Sequence, residues 1–527
     1  MRILMLCVIL CWPSVSLSQE RPKGPMSETE MREARKKAAH RRRRVIMNND
    51  GNDCRNPKPD EPKTPENFLS KRTSPLLGSH VDAIFYCTGV FNSYTQKSDE
   101  TELRGHGDQF AVDWAWELGK QGRDALAIMV DFGHQNGIEV FWSMRMNDTH
   151  DSADGALLCQ WKKDHPGCLM GKKGDKFAAG GGRWSAVNYG LPEVRDKVFR
   201  ILQDVCARYD VDGIEMDFFR HPVYFKPQML GEPVTQEHCD QMSDLLRRVR
   251  KMTEEVAAKR GRPLLIAART PDSVGYCRGI GLDIERWLKD DLIDLWVLTC
   301  YFQLNPWEES VKLGHKYGVR VYPSLSESRI KDAAGKLRNS LESYRGRAMN
   351  VWNSGADGVY LFNQFNPRHP LWRELGDPPA LQKLDKLYFV SPRGSNDAKR
   401  WLAGGDRFIT LPRLSPENPL TLKPGEKRAV ALPVGEDLRR GTPQTPLPEL
   451  ILKIQVTKLA VAEALSVTLN GTPLGARNLL GDCLQLSPSP ELTARGSNLL
   501  ELALKPGTQE ALTLRDLYLT VRHKNPH

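Results

Sequence analysis

The chain has 527 residues, more than one ordinary domain needs, and its 40% hydrophobic and 27% charged content excludes a disordered polymer. No segment after the leader approaches the roughly 20 consecutive apolar residues of a membrane-spanning helix. The net charge of +10 is concentrated before the first strand, and no aromatics interleave with that basic run, which excludes a nucleic-acid stacking surface.

Residues 1–18 have the order of a secretory signal: Arg2, an apolar run from Ile3 to Trp12, then small residues at Ser16-Leu17-Ser18. A secreted or periplasmic location follows from that pattern. Residues 19–43 form a basic segment with Arg32, Arg35, Lys36, Lys37 and Arg41 to Arg44. Such a run suits either contact with an acidic wall polymer or another polyanion, or a solvated helix leading into the fold.

Eight short apolar runs follow: Val45-Ile46-Met47, Val81 to Cys87, Ile138 to Met144, Val211 to Asp217, Leu264 to Ala268, Leu295 to Cys300, Val319 to Tyr322 and Gly358 to Phe362. Helix-like stretches separate most of them. Pro192 to Tyr209 carries Val194, Val198, Ile201, Leu202 and Val205 at helical spacing, with Pro192 suited to the first turn. Eight strand–helix repeats over residues 44–375 predict an α/β fold closed as a (β/α)₈ TIM barrel. No glycine-rich phosphate fingerprint follows the first strand, which disfavours a doubly wound dinucleotide fold.

The insertion 146–190 after the third strand is long enough to predict a lid over the barrel mouth. Cys159 and Cys168 within it are close enough in sequence to pair. Cys87 and Cys300 sit in strand patterns and read as core. Residues 376–405 are rich in Pro, Gly and Asp and predict a linker. From 406 to 527 the pattern turns to short strands between turn signals such as Pro424-Gly425 and Asn470-Gly471. The expected strands are Phe408 to Leu411, Ala429 to Leu432, Leu450 to Val456, Leu465 to Leu469, Asn498 to Leu504 and Leu512 to Val521. They predict a C-terminal β-sandwich.

A barrel brings its strand ends to one mouth, and here those ends are polar. The first supplies Asn48 and Asp50. The third supplies Arg145, Asn147, Asp148, His150 and Asp151. The fourth supplies Glu215, Asp217, Arg220 and His221, and the fifth Arg269. The later ones supply Tyr301, Glu327 and Asn363. Glycosidic hydrolysis needs two carboxyl groups, one to protonate the leaving oxygen and one to attack or to activate water. Asp217 is the expected nucleophile or base, Glu215 its deeper neighbour, and Glu327 a separate acid. Arg145 and Arg269 could grip carboxylates or hydroxyls, or serve as scaffold. Trp184 and Trp307 lie in loop-like contexts suited to sugar stacking. No CxxC or HExxH spacing is present, so neither a metal site nor a cofactor is expected.

Asp212-Gly213-Ile214-Glu215-Met216-Asp217-Phe218-Phe219-Arg220-His221-Pro222 resembles the fourth-strand signature of glycosyl-hydrolase-like 10 proteins. Arg145-Met146-Asn147-Asp148-Thr149-His150-Asp151 and Val187-Asn188-Tyr189 are similar to further segments of such secreted bacterial barrels. The resemblance implies a barrel that hydrolyses glycan chains. The same segment resembles the DGxDxDxE signature of chitinase-like barrels, but Phe219 stands at the acid position and Glu215 replaces an Asp. Val467 to Gly471 and Asn498 to Leu502 resemble accessory sandwiches of the galactose-binding-like class. The expected function is glycoside hydrolysis at the barrel mouth; the alternative is a non-catalytic glycan-binding or scaffold protein on the same barrel.

Overall fold

A computed structural model describes residues 26–523, apart from 106–112, 300, 395–396, 441–445, 458, 460 and 476. The expected signal segment and Cys300 lie outside the described residues.

Eight parallel strands close into a barrel in chain order: β1 (Val45–Asn49), β2 (Val81–Tyr86), β3 (Glu139–Arg145), β4 (Gly213–Asp217), β5 (Leu265–Thr270), β6 (Leu295–Leu298), β7 (Arg320–Leu325) and β8 (Val359–Leu361). All eight expected runs contribute a strand. Each strand is buried on both faces, inside by barrel packing and outside by helices, which is why they read as continuous apolar runs. Helix Pro192–Arg208 shows the outer layer: Val194, Val198, Ile201, Leu202 and Val205 are all buried.

The basic segment is a helix and a turn whose charges divide: Arg32, Lys37, Arg41 and Arg42 are exposed, while others face the barrel. Helix Glu28–Ala39 opens with a capping box between Ser27 and Glu30. Its Arg35 pairs with Asp291 at 2.6 Å and Asp294 at 2.5 Å, and Lys36 pairs with Asp291. Arg43 is fully buried against Glu139, and Arg44 pairs with Asp82 at 2.8 Å. Arg35, Lys36, Arg43 and Arg44 thus anchor the segment to the N-terminal end of the barrel, because acids there face it.

The insertion 146–190 is likewise no loose lid. Lys162, fully buried, donates to Asp151 at 2.6 Å, and Ser185 donates to the same carboxylate. Asn147 accepts from the Val187 amide at 2.9 Å and donates to the Val187 carbonyl at 2.9 Å and the Val223 carbonyl at 2.5 Å. These clamps fix the segment onto the loop after β4. Cys159 and Cys168 are both buried free thiols, so the expected pairing is not made. Cys87 is buried at the end of β2, as core.

The C-terminal region holds two antiparallel sheets. Lys386–Phe389, Leu512–Arg522, Glu449–Thr457, Cys483–Leu486 and Arg477–Leu480 neighbour one another in that order, with Leu420–Leu422 beside Leu512–Arg522. Lys427–Val434, Gly496–Leu504, Leu465–Leu469 and Thr472–Pro473 form the other. Glu449–Thr457 alternates buried and half-buried residues, the pattern of a strand with one face in a core. Two expectations fail. Phe408 to Leu411 is no strand; a short 3₁₀ turn ends at Phe408. The segment 376–405 is more than a linker, since Lys386–Phe389 is a sheet strand and Asp397–Trp401 a helix. Its Pro and Gly content masked a four-residue strand that only pairing partners 130 residues away stabilise.

Buried contacts join the barrel and the sheets. Arg338, fully buried, makes a two-pronged bond to Asp516 at 2.7 and 2.6 Å. Helix Leu341–Asn353 lies so close to Lys386–Phe389 that a Cβ on Gly346 would fall 2.2 Å from the Leu387 carbonyl oxygen.

Candidate functional site

The strand register builds the site. Arg145 on β3 stands opposite Asp217 on β4, which stands opposite Arg269 on β5. One rung below, Ser143, Glu215 and Ala267 are partners. Because side chains alternate, these two rungs point the same way, and the carboxylates of Glu215 and Asp217 stack in the barrel's interior.

Asp217 is 1% exposed. Its Oδ1 accepts from Nε of Arg269 at 2.9 Å and from the amides of Phe219 and Arg220 at 2.9 and 3.0 Å. Its Oδ2 accepts from Nη2 of Arg269. This is a two-pronged charged pair inside a barrel, with the first turn of the following loop folded over it. Glu215 lies fully buried beneath. It accepts from Ser143 Oγ and from Tyr360 Oη at 2.9 Å, and stands 3.9 Å from Arg269. Burial pushes its carboxyl up, Arg269 offsets part of that, and the charge of Asp217 adds to it, leaving it at about 7. Arg269 also lies 4.3 Å from the Phe362 ring and 5.4 Å from Tyr360.

A second polar group sits beside this column. Asp148 accepts from Arg145 at 3.0 Å and from His150 Nδ1 at 2.7 Å. Burial would raise its carboxyl, but His150 and Arg145 hold it well below the usual range. His150 Nε2 meets Arg220 at 2.9 Å. His221 adopts φ +56°, unusual for a non-glycine residue, and its Nδ1 accepts the Thr149 amide at 3.1 Å. Burial, helped by Arg220, drives its pKa well below the ordinary value, so the ring is neutral. Asp148, His150 and His221 bring ligand-type atoms within 4.8 Å of one another. Arg145 and Arg220 stand on two of these groups, and two guanidinium cations oppose a further positive ion there. All three are among the expected strand-end residues; only their mutual contact was not legible, because the two strand ends meet in the fold and not in the chain.

Toward solvent the mouth is lined by an arginine–aromatic stack. Arg220 lies 5.4 Å from the Tyr301 ring and Arg329 4.4 Å from it, and Arg329 pairs with Glu327 at 3.3 Å. Glu327 is 48% exposed, the most open of the three expected catalytic carboxylates. Positive φ recurs at these strand ends, at His221, Thr299, Arg329 and Asn363. Thr299 is β-branched, so its φ of +55° costs energy that the surrounding packing must supply.

The other expected residues divide. Asp50 pairs with Arg72 at 2.5 Å, and Arg72 lies 4.2 Å from the Phe365 ring. Asn363 and Arg220 remain partly exposed. Several residues expected to touch a ligand are buried on protein partners. Asn48 is buried under β2, Asn147 clamps backbone, Asp151 serves Lys162 and Ser185, and Arg269 is fully buried. Trp184 is half-buried, its indole N–H on the Ser152 carbonyl at 3.3 Å. Trp307 begins helix Trp307–Lys316 and is 7% exposed, in a cavity beside the C-terminal sheets. Sequence reasoning missed Ser143, Tyr360 and Arg329. Ser143 carried a signal, since it lies two residues before Arg145 and shares its face.

Comparison with known proteins agrees with the resemblance seen in the sequence. The family described as Glycosyl hydrolase-like 10 matches residues 112–242, which contain β3, β4 and the loops after them. A curated relative, Glycosyl hydrolase YngK of Bacillus subtilis (strain 168), is 28% identical over 102 residues. That match spans 19% of this chain and 19% of the relative. Among solved structures, the glycoside hydrolase domain of PgaB (BpsB) from Bordetella bronchiseptica is similar at a TM-score of 0.40 and 12% identity, over 64% of this chain and 98% of that one. A cycloisomaltooligosaccharide glucanotransferase from Paenibacillus sp. is similar at 0.34 and 11%, over 91% of this chain and 57% of that one.

Proposed function

We propose that this protein is a glycoside hydrolase-like enzyme that takes a glycan at the C-terminal mouth of its barrel and cleaves O-glycosyl bonds there. One observation carries it: Asp217, inside the segment that matches a glycosyl hydrolase-like family, is held at the end of β4 between Arg145 and Arg269. In this proposal Asp217 is the nucleophile or base. Glu327, open to solvent and joined to Arg220 through Arg329 and Tyr301, is the proton donor. Glu215 is a positioning residue. It carries a raised pKa under Asp217, and Ser143 and Tyr360 hold it where it sets the charge of the column. Asp50, Arg220, Asn363 and Tyr301 would meet sugar hydroxyls and ring faces.

The leader 1–18 directs secretion in this proposal, the barrel spans 44–375, and the C-terminal sheets form an accessory β-sandwich of the galactose-binding-like class that supports it. No helix among the described residues is long and apolar enough to cross a membrane.

A second function, glycan binding without turnover, is favoured by the occupancy of Asp217: both of its oxygens already accept hydrogen bonds, and it is 1% exposed. A glycan panel that includes peptidoglycan strands and sulfated polysaccharides separates the two. Hydrolysis by the parent, falling at least ~10³-fold in both Asp217→Asn and Glu327→Gln with folding retained, supports the enzyme. Retention on a glycan without products from any variant supports the binding protein. Equal product release by parent and Asp217→Asn removes Asp217 from the chemistry.

A further inference from the structure

Two arginines from separate segments meet at the rim of the barrel mouth, beside the loops after β3 and β4. Arg183 belongs to the insertion 146–190, and Arg400 to helix Asp397–Trp401. Arg183 donates through Nη1 to the Thr149 carbonyl at 3.1 Å, and the Thr149 amide donates to His221. Arg400 lies 5.2 Å from the Trp401 ring, which is 5.7 Å from the ring of His221. A glycine seats Arg400 against the insertion. Gly181 takes φ +57°, and a Cβ there would fall 2.5 Å from Nε of Arg400 and 3.2 Å from its Cζ. Burial, and next the charge of Arg400, depress the pKa of Arg183 below its ordinary value, so the two cations stand close enough to repel. The acids whose charge reaches Arg183 are committed elsewhere, Asp148 to Arg145 at 3.0 Å and His150 at 2.7 Å, and Asp151 to Lys162 at 2.6 Å. Among the described residues no carboxylate makes an ion pair with Arg183 or Arg400, Asp397 on the helix of Arg400 included. Nη1 of Arg183 is taken by Thr149 and its Nε is buried, which leaves Nη2 as its donor toward an anion. Arg400 is exposed and Arg183 partly exposed, so an anion from solvent can meet both. Arg220, also partly exposed, brings a third guanidinium to this side of the mouth, 2.9 Å from His150.

We propose that Arg183 and Arg400 form a subsite for an oxyanion on the glycan, so that the mouth selects an acidic glycan bearing sulfate ester or carboxylate groups. The inference rests on the mouth being the glycan site, as proposed above. An oxyanion set between Nη2 of Arg183 and the guanidinium of Arg400 replaces a repulsion with two charge-assisted contacts. A neutral sugar leaves the repulsion in place, so the pair discriminates against uncharged glycans. The basic run before the first strand supplies the comparison: Arg41 and Arg42 are also exposed, but at the opposite end of the barrel. Attraction by net charge alone would draw on both places equally.

The test is calorimetric titration of the full chain with three hexasaccharides of one backbone. They are chondroitin 4-sulfate, its desulfated form, and the desulfated form with its carboxylates reduced to hydroxymethyl groups. A charged form should bind at least ~10-fold more tightly than the neutral one. Tighter binding of the sulfated form than of the desulfated one identifies sulfate as the bound group, and equal or weaker binding identifies the carboxylate. Arg400→Gln should remove the preference for charge and leave the melting temperature equal or higher, because it relieves a repulsion. Arg183→Gln should remove the preference as well. Arg41→Gln combined with Arg42→Gln should bind as the parent does, and Asp217→Asn should keep the preference. Charge preference without cleavage of any glycan keeps the subsite and removes the hydrolase; cleavage without charge preference keeps the hydrolase and removes the subsite. The proposal is overturned if the parent binds none of the three or all of them equally. It is also overturned if Arg400→Gln retains the preference, or if the Arg41 and Arg42 substitutions lower it as much as Arg400→Gln does.

Discussion

Arg269→Met tests whether the Asp217 column is the structural keystone of the barrel. The guanidinium is fully buried and gives Asp217 two donors, one at 2.9 Å. At that separation and an effective dielectric of roughly 20, the direct attraction is about 6 kcal/mol. Asp217 keeps the amides of Phe219 and Arg220 after the substitution, and these offset part of the loss. Removing one partner of a buried pair leaves an uncompensated charge, so the expected destabilisation is about 3–5 kcal/mol. Guanidinium chloride unfolding followed by tryptophan fluorescence measures it. Arg269→Met combined with Asp217→Asn should recover at least half of that loss, because no charge is then stranded. The double-mutant cycle isolates the coupling. A single variant within ~1 kcal/mol of the parent, or a double variant that simply adds the two losses, would refute the assignment.

Three further outcomes are expected. The Glu215 carboxyl sits at about 7 in the fold against a normal 4.5, so the folded state holds a proton that the unfolded chain has lost between those values. Its contribution is present in full below pH 4.5 and fades as pH rises to about 7, so the parent should lose stability relative to Glu215→Gln across that window. A flat difference would show that Glu215 is not perturbed. Tyr360→Phe removes the donor at 2.9 Å and should cost about 1–3 kcal/mol, extending the protonated range of Glu215 upward; an unchanged unfolding midpoint counts against the contact. Lys162→Met strands Asp151 and should raise amide exchange across 149–187 while the C-terminal sheets stay protected; uniform protection would mean the clamp holds without it.

The eight strands were legible because each is buried on both faces and so appears as a compact apolar run, with helical periodicity between. The placement of Glu215, Asp217, Arg145 and Arg269 on strand ends was legible for the same reason, since alternation decides facing. Depth was not. That Asp217 would be saturated by Arg269 and two amides depends on the register between β4 and β5, a relation between segments 52 residues apart. Lys386–Phe389 was hidden in a Pro- and Gly-rich stretch, because a short strand is defined by the partner it pairs with, here Leu512–Arg522.

Local chemistry in the chain therefore determined the barrel, the candidate acids and the antiparallel character of the C-terminal third. Only tertiary structure decided what each charge does. Arg35, Lys36, Arg43 and Arg44 of the basic run became anchors because acids on the barrel's bottom face them, while the rest stayed in solvent. The insertion became a clamp because Lys162 and Asp151 meet in its interior. Trp307 left the mouth for a cavity with Arg347, because that helix end abuts the C-terminal sheets. Periodicity records which residues leave water. Charge pairing depends on distances in space, which the linear order does not carry.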